Sequence, residues 1–97
     1  MPTYMVQAAY TSTAWNKLVQ RPENRMDALK PVIARLSGEI LAWYYTFGDY
    51  DVVVIFDAPS NINAAAAAMA IAGSGAVKDF KTSVPMSPDE GFDALLL

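Results

Sequence analysis

The chain has 97 residues, 54% of them hydrophobic and 18% charged, with seven cations against ten anions for a formal charge of −3. It contains neither cysteine nor histidine, which excludes disulfides, thiolate nucleophiles and iron–sulfur clusters and removes the commonest metal ligand and general base. The length predicts a single domain over residues 1–97, and so apolar a composition in a small chain predicts a subunit interface in addition to a core.

In chain order, Tyr4 to Tyr10 reads as a first strand, with Tyr4, Val6, Ala8 and Tyr10 on one side and Met5, Gln7 and Ala9 on the other. Thr11-Ser12-Thr13 can cap a short helix through Gln20 whose apolar side is Trp15, Leu18 and Val19. Arg21-Pro22-Glu23 then starts a main helix to about Leu36, with proline at the first position and Glu23 and Asp27 at the positive end of the dipole. Met26, Leu29, Ile33 and Leu36 form its sheet-facing side. Pro31 interrupts that pattern and predicts a kink, and Ser37-Gly38 ends the helix with glycine as the left-handed cap.

Ile40 to Phe47 is a second strand with aromatic rings on both faces. Gly48-Asp49-Tyr50-Asp51 turns the chain, with a positive φ available at Gly48, and Val52 to Phe56 is a third strand covered on both sides. Pro59-Ser60-Asn61 opens a further helix with Ile62, Ala65, Ala66 and Met69 as its buried stripe. Gly73-Ser74-Gly75 ends it, and Ala76 to Val84 returns as a fourth strand stopped by Pro85 and Pro88. Residues 1–86 thus form the core, and residues 87–97 form an acidic, leucine-ended tail that could dock on a neighbour or fray.

The order β-α-β-β-α-β predicts an α+β, ferredoxin-like unit: a four-stranded antiparallel sheet with helices on one face. The other face is left bare, and its apolar content predicts that two such sheets pack together.

The motif Gly48, Tyr50, Asp51 between an aromatic and a valine-rich strand, followed by Asp57-Ala58-Pro59 and an alanine-rich helix, resembles the GYD domain, a family of small bacterial proteins without an assigned activity. The resemblance runs from about Pro2 to Met86. It implies the dimeric α/β-barrel variety of the ferredoxin-like fold and no particular substrate. The Trp15 segment, Pro31 and the acidic tail depart from the family pattern.

Tyr10, Trp15, Tyr50 and Asp51 are the candidate ligand-binding residues. In a ferredoxin-like sheet the end of the first strand lies beside the start of the third, so two hydroxyls, a carboxylate and an indole are expected on one rim. Against this, Asp51 can simply cap the turn, and the aromatic residues can simply form core and interface. Lys17, Arg21 and Arg25 are spaced by four and, with Lys30 and Arg35, read either as an anion-holding stripe or as a solvated face paired with Glu23 and Asp27. A metal site would depend on Asp49, Asp51 and Asp57 alone, whose spacing fits no calcium loop, so neither metal nor cofactor is expected.

Nucleic acid is not an expected partner, because the net charge is negative and the basic-aromatic signature of RNA-recognition strands is missing. No apolar run of about 18 residues or signal peptide is present, which predicts a cytoplasmic protein without a membrane partner. The composition and pattern favour a homo-oligomer, formed through the sheet face, that binds a small, partly aromatic or apolar molecule. The alternatives are a cofactor-independent monooxygenase-like or isomerase-like enzyme, and a protein interaction or assembly module.

Overall fold

The computed structural model describes residues 1–97. Eight elements follow one another: β1 (Thr3–Tyr10), α1 (Ser12–Gln20), α2 (Arg25–Arg35), β2 (Glu39–Tyr45), β3 (Val52–Asp57), α3 (Asn61–Gly73), β4 (Val77–Ser83) and α4 (Pro88–Leu95). The strands form one antiparallel sheet in the order β2-β3-β1-β4, the ferredoxin-like arrangement expected from the element order.

Alternation decides which residues are inside. Tyr4, Val6, Ala8 and Tyr10 of β1 and Val52, Val54 and Phe56 of β3 point to one face, where they meet Ile33 of α2 and Ala64 and Ala67 of α3. In β2, Ile40, Trp43 and Tyr45 lie opposite Phe56, Val54 and Val52 and share that face, while Ala42 and Tyr44 turn to the bare one. A bulge between Ile40 and Ala42 makes this switch of parity possible by leaving Leu41 unpaired and exposed. Aromatic rings do project from both faces of β2, but Phe47 lies beyond the strand, fully in solvent.

Local chemistry moved several boundaries. The second helix starts at Arg25, not at Pro22, because the Asn24 side chain accepts from the Asp27 amide and is the true cap. Pro22 and Glu23 therefore precede the helix. Ser37, rather than Gly38, takes the positive φ of 61° at its end. Gly38 answers a different need, since a Cβ there would lie 2.6 Å from the Asp57 carbonyl oxygen.

Pro31 lies within α2 on its exposed side, and the helix continues through it. Val19, placed on the inner side of α1 by sequence, is exposed. In α3 the expected stripe is rotated: Ala64 and Ala67 are buried, while Ile62 is 82% and Met69 71% exposed. Alanine is so frequent in this helix that apolar periodicity is nearly uninformative there, and close approach of the backbone to the sheet chose the face.

The tail forms a helix whose Ser87 and Glu90 make a reciprocal capping box, with Pro88 in the first turn. All of α4 except Gly91 is exposed.

Candidate functional site

The turn after β2 builds the site. Gly48 has φ 131°, and the Thr46 amide and hydroxyl donate to the carbonyls of Asp51 and Tyr50 at 2.8 and 2.7 Å. This delivers Asp51 to the end of β1. Its amide donates to the Ala8 carbonyl at 2.8 Å, and its Oδ2 accepts from the Tyr10 amide at 2.9 Å and from Trp15 Nε1 at 3.3 Å. The Trp15 ring stands edge-on to the Tyr10 ring, with centroids 5.1 Å apart, a favourable arrangement of aromatic quadrupoles.

Tyr10, Trp15 and Asp51 are thus joined in one cluster. Asp51 acts there as a brace, fixing the strand end and the first turn of α1. Tyr50 is set apart from it: its carbonyl serves the turn, and its hydroxyl makes no bond to the other three.

The braced Tyr10 ring forms one wall of a cleft between the sheet and the helices α2 and α3. The cleft has a volume of about 270 Å³, just under the roughly 300–1,000 Å³ usual for ligand sites. Val6, Val54, Leu29 and Ile71 contribute to its apolar walls, and Arg25, Tyr10 and Ser74 are its polar members. Ser74 Oγ already donates to the Ile71 carbonyl at 2.7 Å.

Arg25 lies beside the Tyr10 phenol and pairs through Nη1 with Glu23 Oε1 at 2.5 Å. Burial pushes the Tyr10 phenol above its ordinary pKa; Tyr45 adds to the rise and Arg25 opposes it. The bond to Glu23 is the main cause holding Arg25 above the ordinary arginine range. Both groups are therefore hydrogen-bond donors at neutral pH.

A second recess adjoins this end of α2, lined by Glu23, Asn24, Met26, Trp43 and Tyr45. Trp43 Nε1 is buried without an acceptor. An unpaired buried donor costs about 1–3 kcal/mol.

Arg25 was read from sequence only as part of a cationic stripe. Of the rest of that stripe, Lys30 pairs weakly with Asp27 at 3.7 Å, and Lys17, Arg21 and Arg35 are exposed. A usable signal was position, because the residue opening α2 lies over the end of β1. No group of three or more Asp and Glu side chains is placed to hold a metal ion, and no helix is long and apolar enough to cross a membrane.

Comparison with protein-family models matches the GYD domain over residues 4–95. The chain belongs to the GYD domain family. Besides the sheet and α1 to α3, the match takes in α4, so this GYD domain carries its tail within the family's own span. No curated protein matches the sequence. Among solved structures, one described as the crystal structure of FFRP-DM1 is similar, with a TM-score of 0.56 and 14% identity over 89% of this chain and 100% of the other. At that identity the likeness concerns the GYD domain's ferredoxin-like fold alone.

Proposed function

We propose that this GYD domain binds a small, largely apolar molecule in the cleft between the sheet and helices α2 and α3. The observation that supports the reading is the combination of apolar walls with a braced Tyr10 and a single charged residue, Arg25. This is the composition expected of a ligand site. Trp15 and Asp51 serve the site by positioning Tyr10, and Tyr50 serves it through the turn. Binding is favoured over catalysis because Arg25 and Tyr10 are both donors and Asp51 is engaged by two of its own, leaving no base aimed into the cleft.

The test is a tryptophan-fluorescence titration with a library of aromatic acids and quinones, on the natural chain and on Ala70→Phe, which adds a ring to the cleft wall. Saturable quenching of the natural chain that Ala70→Phe abolishes, with an unchanged melting temperature, is the expected result. Quenching that survives the added ring would place the ligand elsewhere.

The working unit in this reading is a cytoplasmic homo-oligomer in which a second copy covers the bare sheet face. Met5, Val53, Ile55, Ala42 and Tyr44 supply the apolar part of that face, and Lys81, Asp79 and Glu39 supply charges of both signs near its edges. A surface carrying both signs can complement a copy of itself about a two-fold axis. Gel filtration with light scattering tests this, and a monomer mass at micromolar concentration would overturn it.

A further inference from the structure

Resting on the cleft reading above, we propose that the ligand is an organic monocarboxylate, its apolar body in the cleft and its carboxylate on the Arg25 guanidinium. Two observations carry this. Arg25 is the only charged residue of the cleft wall, and with Ser74 Oγ committed to a backbone carbonyl, the polar side-chain groups left for a ligand are its guanidinium and the Tyr10 hydroxyl. A guanidinium has five N–H donors in a planar fork and no acceptor, so it selects a planar anion.

The site already accommodates that chemistry. Glu23 Oε1 occupies Nη1 of Arg25, a carboxylate supplied by the chain itself on an exposed, non-helical segment. An incoming carboxylate can take the remaining edge or displace Glu23.

An amine would face Arg25 directly, and a neutral apolar ligand would leave the guanidinium's free edge unused. The net charge of −3 gives an anion no long-range attraction, so selection rests on this local arrangement.

The experiment is isothermal titration of the full chain with 2-naphthoate, 2-naphthamide and 2-naphthylmethylamine, on the natural protein and on Arg25→Met, Glu23→Gln and Ala70→Phe. The acid is expected to bind at least tenfold more tightly than the amide, and the amine more weakly than either. Arg25→Met should erase the difference between acid and amide while amide binding persists. Glu23→Gln should tighten the acid severalfold by removing the competing carboxylate, a gain that a misfolded variant would not show. Equal binding of all three probes, abolished by Ala70→Phe, would leave the cleft standing and overturn the carboxylate assignment. No binding that Ala70→Phe affects would overturn the cleft reading itself.

Discussion

Asp51 joins four hydrogen-bonding partners, the Ala8 carbonyl, the amides of Tyr10 and Thr46 and the Trp15 indole, so its variants separate bracing from shape. Asp51→Ala leaves the Tyr10 amide and the Trp15 indole unpaired and is expected to cost about 1.5–3 kcal/mol, the range for bonds to a charged group. Asp51→Asn keeps an acceptor oxygen and should cost less. Urea melts followed by tryptophan fluorescence compare the two, and equal losses would show that charge, not acceptance, matters. Gly48→Val tests a purely conformational role: a Cβ there meets no atom within 4 Å, yet φ is 131°, so strain alone should remove about 1–3 kcal/mol.

Tyr10 gives a pH dependence whose sign follows from its burial. Its folded pKa is raised, so the stabilisation is fully present below the unfolded value of about 10 and is lost as pH rises from there through the folded value. Denaturation at increasing alkaline pH should therefore show a fall in stability that is shallower in Tyr10→Phe.

Among the elements, α2 carries the least expected residue. Pro31 removes an amide from the interior of a helix that continues past it, and it is exposed. Pro31→Ala is expected to stabilise the fold by about 1–3 kcal/mol, read as a raised denaturation midpoint at unchanged slope.

The elements differ in how far sequence revealed them. The strands and their turn were legible because valine-rich alternation and Gly48 leave few other conformations. The meeting of Tyr10 with Trp15 and Asp51 followed from strand adjacency. The buried stripe of α3 was not legible, because a run of alanines has no face until the sheet selects one. Nor was the cleft, whose walls come from β1, β3, β4, α2 and α3 and whose charged residue, Arg25, resembles every other surface cation when read along the chain.

For the whole molecule, α4 is the outlier. An eight-residue helix is marginal alone in water, and here its capping box and Pro88 provide the local support while Phe92 and Leu95 remain exposed. Truncation after Met86 should leave the melting temperature of the sheet domain within about 2 °C when no other copy contacts the tail. A larger fall, accompanied by a smaller mass in light scattering, would show that α4 is held by a neighbouring subunit.

The position of β1 has a consequence for biosynthesis. Of the four strands of this sheet it is the first to be translated, yet it lies between β3 and β4, and its Met5 pairs with Ile55 on one side and Ser83 on the other. Until those later strands are translated, both hydrogen-bonding edges of an apolar strand stay open, and open edges recruit other chains. Nascent chains stalled before β4 should therefore be the form most dependent on chaperones, and slowing translation ahead of Val77 should lower the soluble yield without altering the finished protein.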